Sequence, residues 1–392
     1  MPQIFIDEKR ALRLVMEMMA IPGSSTEESR VSRHLTDQLK NAAVPDSAIT
    51  TDKAARRSSS GGSTGNLIVK LPGTFRGPRR LLMAHIDTVP LCVGCRPIRR
   101  GAFIESRDPD TALGGDNRAG ATVLLSAVLE ILDRKLPHPP LTFLWTVQEE
   151  IGLLGARHVA ISRLGRPQLC FNWDGGDPSI ATIGATGACY IDIEVTGIAS
   201  HAGAHPEQGV SAAGIAAKAI SALVDNGWHG AIRKGRKEGT SNIGVVNGGQ
   251  ATNVVMESLD LHAEARSHQP AFRERIVSEF RKAFDRAVNS IRNDTGESGS
   301  IDFSSETRYE AFCLSPSEPC VQHAMKAIHD AGLDPQTRIC NGGLDANWLT
   351  AHGLPTVSLG CGQQGIHTVD ECLHVESFLT GCRIALKLAT DE

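Results

Sequence analysis

Short apolar segments that alternate with helical patterns are the feature that most restricts the fold of this chain. Residues 66–71, 80–86 and 141–147 form three such segments. A fourth segment, 168–173, follows a stretch of helical character from about Gly152 to Leu164. Strands without polar alternation are typical of a parallel sheet buried on both faces. The pattern therefore predicts an α/β domain with a mainly parallel sheet and helices on both faces, which binds ligands beyond the carboxyl ends of its strands.

The order of elements changes near residue 186. The predicted elements that follow are strand 189–196, helix 209–223, strands 240–247 and 254–266, helix 270–289 and strand 300–308. This βαββαβ order is the ferredoxin-like arrangement. We therefore predict that residues 186–310 form an inserted ferredoxin-like domain. Residues 1–185 and 311–392 then form the two parts of the α/β domain.

Composition limits the class of protein. A chain of 392 residues is longer than one core usually allows, and 41% hydrophobic with 21% charged residues is typical of a soluble globular protein. A net charge of −4 argues against a nucleic-acid partner, and the basic cluster Arg233–Lys237 is expected to be a solvated loop. No apolar run approaches the roughly 20 residues needed to span a bilayer. The amino-terminal segment lacks the features of a signal peptide, so we expect a cytoplasmic protein.

The ten cysteines are mostly scattered singly through apolar segments. Cys170, Cys189, Cys313 and Cys340 are expected to be small core residues in a reducing compartment. Cys92 and Cys95 form a C-x-x-C pair, but there is no second pair at the spacing of a structural zinc site.

Polar side chains follow the predicted strands at their carboxyl ends. His85 and Asp87 are two residues apart, so in a strand they face the same way, and a carboxylate there can accept the second N–H of a metal-bound imidazole. A single His at a strand end can equally be a structural residue. Asp116 follows two glycines and precedes a predicted helix, so it can either bind a ligand or cap that helix.

Two adjacent carboxylates, Glu149 and Glu150, follow the strand 141–147. Like charges side by side resist joint ionisation unless a partner neutralises one of them, so a metal on one and proton transfer by the other would suit the pair. Two solvated carboxylates at the start of a helix are the alternative. Asp174 lies at a further strand end, and His367 lies in a Gly-rich loop after the strand 355–359. Together these side chains predict a metal site at one edge of the sheet.

The segments that carry these residues resemble the aminoacylase and carboxypeptidase G family of dinuclear zinc exopeptidases. The resemblance rests on HIDT, GGDNRAG, QEEIG, WDGG, ASHAG and GIH, in this order along nearly the whole chain. The segments WDGG, GGQATNVV and AEARSH are similar to the peptidase T-like (tripeptide aminopeptidase) branch. The family implies an α/β metal-binding domain with an inserted ferredoxin-like lid that mediates dimer formation.

The resemblance also implies roles for individual residues. His85 and Asp174 are expected to bind one metal ion, Glu150 and His367 the other, and Asp116 both. The ions are expected to be Zn²⁺, with Co²⁺ or Mn²⁺ as alternatives that suit the same N/O ligands. Peptide hydrolysis is then expected to proceed by a metal-bound hydroxide.

Further roles are implied for residues outside the ligand set. Asp87 is expected to orient His85, Glu149 to act as the general base, and His201 to stabilise the oxyanion, within one subunit or across a homodimer. The residues expected to contact the substrate are Asn253, Arg266, Gly343 and Asp345. The family's G-G-x-D loop has Thr where this chain has Leu344, which affects substrate contacts rather than metal binding.

Two other interpretations remain open at the level of sequence, and a third does not. The same metal ligands would serve an N-acyl-amino-acid amidohydrolase or a carboxypeptidase. A catalytically silent binding or scaffold protein could share the fold, although such a protein would be expected to have lost a ligand or the base. A lid-less aminopeptidase would not explain the inserted domain.

Overall fold

The structure is a computed structural model that describes residues 5–390. The helices are, in chain order, α1 Glu8–Met19, α2 Ser29–Asn41, α3 Ala54–Arg57, α4 Gly115–Arg134, α5 Leu154–Arg157, α6 Ala212–Asp225, α7 Pro270–Ser290, α8 Pro319–Asp330, α9 Asp345–Ala351 and α10 Val375–Thr390. The strands are β1 Ile49–Thr51, β2 Leu67–Leu71, β3 Arg80–His85, β4 Pro97–Arg100, β5 Phe103–Ser106, β6 Leu141–Thr146, β7 Leu169–Trp173, β8 Ile180–Ala185, β9 Gly187–Thr196, β10 Gly230–Lys234, β11 Lys237–Gly248, β12 Ser258–Ser267, β13 Ser300–Tyr309, β14 Phe312–Cys313, β15 Gln336–Cys340, β16 Thr356–Leu359, β17 Gln363–Gln364 and β18 Cys372–His374.

The chain divides into two compact units. The first contains the residues up to Ala185 and those from Phe312, and the second is Thr186–Ala311. The first unit is built on a sheet with the strand order β1-β2-β6-β3-β7-β16-β8-β14, and β15 also pairs with β8. Its central strands β6, β3, β7 and β16 run parallel, whereas β2 is antiparallel to β6 and β8 is antiparallel to β16. The predicted α/β class with a mainly parallel central sheet is confirmed.

Both faces of this sheet are covered. Along β3, Leu82 and Ala84 pack into the large cluster that includes the apolar sides of α1, α2, α4 and α10. Leu81 and Met83 face the other way and pack with Ala156 of α5 and Leu349 of α9. This two-sided burial is the physical reason that the central strands are continuously apolar in sequence.

Helix α4 is buried along most of its length and begins irregularly. Gly114, which precedes it, has a φ of +75°, a value that favours glycine. Asp116 and Asn117 have non-helical backbone angles and are joined by a cis peptide bond. The regular helix therefore begins after Asn117, and Asp116 lies in the turn that leads into it.

The second unit contains one antiparallel sheet with the order β10-β11-β12-β9-β13. Helices α6 and α7 cover one face of it and bury the alternate apolar residues of β9 and β12. The elements β9-α6-β11-β12-α7-β13 have the ferredoxin-like order, so the predicted ferredoxin-like fold is confirmed. The other face carries mostly polar and charged side chains.

One sequence prediction was wrong in detail, and one strand was missed. The helix predicted over 152–164 is reduced to α5 and a short 3₁₀ turn, Ile161–Arg163. It begins only at Leu154 because Gly152 and Leu153 have φ values of +114° and +60°, which are incompatible with a helix. The cluster Arg233–Lys237 is mostly exposed, as expected, and spans the hairpin turn that joins β10 to β11. The strand β10 was missed because only Ile232 marks its buried face among charged and small residues.

Among the helices within residues 5–390, none combines the length and the apolar composition that a bilayer-spanning helix needs.

Candidate metal centre

The carboxyl ends of the central parallel strands bring the predicted ligands together. His85 is the last residue of β3, Asp174 follows β7 and Glu150 follows β6. Asp116 lies at the start of α4, and His367 lies in the loop between β17 and β18. Parallel strands end at a common edge of the sheet, so side chains from distant parts of the chain meet there.

Two groups of potential ligand atoms share one carboxylate. In the first group, Nε2 of His85 lies 3.3 Å from Oδ1 of Asp116 and 3.6 Å from Oδ1 of Asp174. In the second, Nε2 of His367 lies 3.2 Å from Oδ2 of Asp116 and 2.9 Å from Oε2 of Glu150. Asp116 therefore directs one oxygen into each group.

The donor set fits a pair of divalent cations. Ligand atoms in each group lie within 4.8 Å of one another. Tetrahedral ligands at the usual zinc distances are separated by about 3.4 Å, which is close to the spacings in both groups. The ligands are imidazole nitrogens and carboxylate oxygens without a thiolate. The nearby Cys361 is fully buried, and burial raises the pKa of its thiol well above the ordinary value, so it remains protonated.

The centre also has an excess of negative charge, as a cation site requires. Burial acts to lower the pKa of His85, but its contacts with Asp116 and Asp174 raise that pKa well above the ordinary value. Contacts with Asp116 and Glu150 raise the pKa of His367 to about 10. The carboxylates thus strongly favour positive charge at the position of the imidazoles, and divalent cations would supply that charge.

Glu149 lies beside these ligands but belongs to neither group. Its side chain is almost fully buried, and burial together with the negative charges of Asp174, Asp345 and Glu150 raises its pKa well above the ordinary value, despite the opposing effect of His85. A carboxyl group with a raised pKa close to a reacting centre is suited to accept and return a proton near neutral pH.

Asp87 makes more contacts than the role carried over from the family describes. Its Oδ1 lies 3.5 Å from Nδ1 of His85, which also faces the Asp87 carbonyl oxygen at 3.2 Å. The same carboxylate accepts hydrogen bonds from the backbone N–H groups of Glu149 at 3.0 Å and Glu150 at 3.2 Å, and from the Ser25 hydroxyl at 2.7 Å. Asp87 therefore holds both the imidazole and the turn that carries the two glutamates.

Three charged groups behind the centre were not identified from the sequence. Glu28 accepts the backbone N–H of Gln148 at 3.1 Å, and burial, followed by the charge of Asp87, raises its pKa to about 7. Burial lowers the pKa of the Arg118 guanidinium to about 10, and this group provides positive charge close to Glu28 and Asp87. Arg118 follows Asp116 by two residues, so a basic residue at the start of an otherwise apolar buried helix was the available signal.

Glu371 is the third such group. It is 2% exposed, and its two oxygens accept the backbone N–H groups of Gly114 at 2.7 Å and Asp116 at 2.8 Å. Burial raises its pKa to about 7, although these two hydrogen bonds act in the opposite direction. Its position four residues after His367 in the same loop was the signal that could have indicated it.

Asp345, expected to contact substrate, is fully buried at the start of α9 and accepts a hydrogen bond from the Thr146 hydroxyl. Burial, followed by nearby charges, raises its pKa to about 7. It lies near enough to the centre to influence Glu149 electrostatically. Gly343, in the preceding loop, is partly exposed.

The remaining expected site residues lie in the second unit. The exposed imidazole of His201 accepts the backbone N–H groups of Gly203 and Ala204 at Nδ1, at 3.2 and 3.0 Å, which places the proton of a neutral ring on Nε2. The backbone of the neighbouring Asn253 accepts the N–H of Ala202 at 2.9 Å. Arg266, on β12, forms two hydrogen bonds with Glu264, at 3.0 and 2.9 Å.

Comparisons with known proteins agree with this arrangement. The chain belongs to peptidase family M20/M25/M40, whose sequence model matches residues 81–391. It is therefore a hydrolase of peptide bonds.

Individual relatives extend over almost the whole chain. A tripeptidase from Staphylococcus aureus is 29% identical and superimposes with a TM-score of 0.87, covering 98% of both chains. The aminopeptidase PepT from Bacillus cereus is also 29% identical, with a TM-score of 0.83 and 98% of both chains covered. Peptidase T of Escherichia fergusonii is 25% identical over 368 residues, which cover 83% of this chain and 85% of that protein. The resemblance found in the sequence is thereby confirmed.

Proposed function

We propose that this protein is a metal-dependent aminopeptidase that removes the amino-terminal residue from short peptides, with tripeptides as its substrates. The observation that carries the proposal is the shared carboxylate of Asp116, which directs one oxygen to the group of His85 and Asp174 and the other to the group of Glu150 and His367. The similarity to a tripeptidase and to PepT supports the choice of substrate.

The five ligands are proposed to hold two divalent ions, and zinc is the ion that their N/O donor set suits, with Co²⁺ and Mn²⁺ as substitutes. When bound, such ions polarise the scissile carbonyl group and lower the pKa of water. Asp87 keeps the His85 ring in place from the side opposite the ligand nitrogen, because the Asp87 oxygens face Nδ1 whereas Nε2 faces Asp116 and Asp174.

Glu149 is proposed to take the proton of the attacking water and to transfer it to the leaving amine. The residue is held at its backbone by Asp87, and its raised pKa suits it to both halves of the transfer. The negative charge of Asp345 adds to the effect of burial in raising the pKa of Glu149.

The residues of the second unit are proposed to act on the substrate. His201 has its Nε2 proton available for a developing oxyanion, because Nδ1 is already occupied as an acceptor. Arg266 would exchange Glu264 for the carboxylate of the peptide, since guanidinium binds both with the same two-pronged geometry. Asn253 and Gly343 are proposed to contact the peptide backbone.

We also propose that the protein is cytoplasmic and forms a homodimer through its second unit. All ten cysteines are unpaired, which suits a reducing compartment. Val245 and Val246 on β11 are 49% and 53% exposed and lie on opposite faces of the strand, so each offers an apolar side chain to a second copy. Sedimentation at several protein concentrations measures the mass, and a Val246→Lys variant should shift it toward the monomer.

The proposed activity is tested with a small panel of substrates. It contains a tripeptide, its N-acetylated form, a dipeptide and an N-acyl amino acid, each assayed after chelation and after Zn²⁺, Co²⁺ or Mn²⁺ is restored. Cleavage of the free tripeptide alone, lost on chelation and regained with metal, is the expected result. Preference for the acylated compounds would replace the aminopeptidase proposal by an amidohydrolase, and a lack of turnover with every metal would contradict catalysis altogether.

The Glu149→Gln variant tests the proton-transfer role. We expect turnover of the tripeptide to fall by about 10²–10⁴-fold, since this is the usual contribution of a general base, while the bound metal remains. The matched control is Glu376→Gln, which alters an exposed side chain paired with Arg383 and should leave turnover unchanged. Loss of metal from Glu149→Gln, or activity equal to that of the control, would contradict the assignment.

A further inference from the structure

The loop that carries His367 also carries a buried carboxylate with no role in the proposed chemistry. Glu371 ends this loop, and both of its oxygens bind backbone N–H groups of the turn that leads into α4. These N–H groups belong to Gly114 and Asp116, 257 and 255 residues away in sequence. The contact therefore joins the segment of one proposed ligand to the segment of another.

Asp116 is the ligand for which exact placement matters most. Its Oδ1 and Oδ2 face different imidazoles, at 3.3 and 3.2 Å, so a rotation that improves one contact lengthens the other. Its backbone has non-helical angles, and regular helical hydrogen bonding begins only later in α4. The position of the carboxylate thus depends on groups outside the helix.

Strand β17, which precedes this loop, contacts Asp116 from a second direction. Nε2 of Gln363 donates a hydrogen bond to Oδ1 of Asp116 at 3.2 Å. A Cβ atom added at Gly115 would lie 3.2 Å from Oε1 of Glu371, so the turn packs closely against the carboxylate. Glu371 thus fixes the backbone of Asp116, Gln363 contacts its side chain, and His367 lies between them in sequence.

We propose that Glu371 is a positioning residue for the metal centre, which locks the backbone of Asp116 to the loop of His367 so that both ion sites form together. The inference rests on the proposed function, because it requires Asp116 to be a ligand of both ions. A carboxylate can accept both N–H groups at once. A glutamine amide at this position has one oxygen, so its NH₂ group would face one of the two N–H donors.

The test is a titration of metal-free protein with Co²⁺, followed by visible absorption, on the wild type, Glu371→Gln and Asp370→Asn. Asp370 is the neighbouring acidic residue and is exposed, so its variant removes the same charge without the buried contacts. We expect the wild type and Asp370→Asn to bind two ions with similar affinity and spectra. Glu371→Gln should bind Co²⁺ about 10–100-fold more weakly, as is usual when a group that supports a ligand is changed.

Thermal unfolding with and without Co²⁺ separates positioning from a general effect on stability. A positioning role predicts that Glu371→Gln loses mainly the increase in Tm that the ion provides. Equal decreases in Tm with and without the ion, together with wild-type affinity, would overturn the inference. If Glu371→Gln does not fold, Gly115→Ala tests the same contact from the other side and should weaken Co²⁺ binding in the same direction; unchanged binding in that variant would likewise overturn the inference.

The Co²⁺ titration distinguishes failure of the proposed function from failure of the role proposed for Glu371. A wild-type protein that binds no ion would overturn the proposed function and this inference with it. A wild-type protein that binds two ions, with Glu371→Gln binding them equally well, would overturn only the inference.

Discussion

The turn that carries Glu149 and Glu150 is supported by a buried network around Asp52, and this network makes a quantitative prediction. Oδ1 of Asp52 accepts the backbone N–H groups of Ala54 at 2.9 Å and Asn66 at 3.0 Å. Oδ2 accepts the side-chain amide of Asn66 at 3.0 Å and the N–H of Ala160 at 3.1 Å. Asn66 in turn accepts the N–H of Val147 at 3.1 Å, two residues before Glu149.

Replacing Asp52 by Asn keeps the shape of the side chain and removes half of its acceptors. The one remaining oxygen can serve two of the four donors, and the new NH₂ group faces the other two. A buried donor that loses its acceptor costs about 1–3 kcal/mol, so the free energy of unfolding should fall by about 2–6 kcal/mol.

Urea unfolding at neutral pH, followed by tryptophan fluorescence, measures this change through the shift of the midpoint. The matched control is Asp177→Asn, because the exposed Asp177 accepts only local hydrogen bonds from Ser179, and its replacement should cost about 0.5 kcal/mol or less. If Asp52→Asn lowers the free energy of unfolding by less than 1 kcal/mol, the reasoning that the four N–H groups depend on this carboxylate is refuted.

Two further predictions concern stability away from the centre. Phe280 is fully buried in the core of the second unit, so Phe280→Ala should lower the free energy of unfolding in urea by about 3–5 kcal/mol. Val224→Ala, at a position that is 54% exposed, should change this free energy by less than about 0.5 kcal/mol. Similar values for the two variants would contradict the assignment of this core. Hydrogen bonds from Lys326 and Lys387 lower the pKa of Asp330 to about 2. The ionised Asp330 therefore contributes to the free energy of unfolding above its pKa in the unfolded chain, which is near 4, and this contribution is lost as the pH falls toward 2. Allowing for solvent screening, Asp330→Asn should lower the free energy of unfolding by about 1 kcal/mol at pH 7, with the difference from wild type disappearing near pH 2; a difference that persists at pH 2 would exclude this cause.

Strand positions and the edge that gathers the ligands could be predicted from the sequence because both depend on local patterns. The apolar runs that end at His85 and Trp173 are bounded by polar residues, and this pattern is typical of strands that are buried on both faces. Parallel strands then place their carboxyl ends together. The roles of single residues came from the resemblance to a family rather than from spacing.

Local patterns gave no information where the backbone departs from regular geometry. Leu153 has a positive φ although it is a branched apolar residue in a helical pattern, so the helix predicted there was interrupted. The strand β10 was missed because its partner β11, rather than its own composition, stabilises it.

The supporting carboxylates could not be found because their partners are remote in sequence. Glu28 binds the N–H of Gln148 across 120 residues, and Glu371 binds that of Asp116 across 255. Each follows another acidic residue, Glu27 or Asp370, and such short acidic pairs are typical of a solvated surface. Only the folded chain shows that these carboxylates are buried and hold the backbone of the ligand-bearing turns.

The position of the second unit within the chain has a consequence for biosynthesis. Strand β16 pairs with β7 and with β8, yet 126 residues of the second unit, 186–311, are made between them. At about 5–20 residues per second, a ribosome needs roughly 6–25 s to synthesise that insert. During this time the nascent chain can complete the antiparallel sheet of the insert, whose five strands are all present, while the parallel sheet lacks its inner strand and His367 is not yet made. The peptidase centre can therefore be assembled only after the whole insert and the residues up to His367 have left the ribosome.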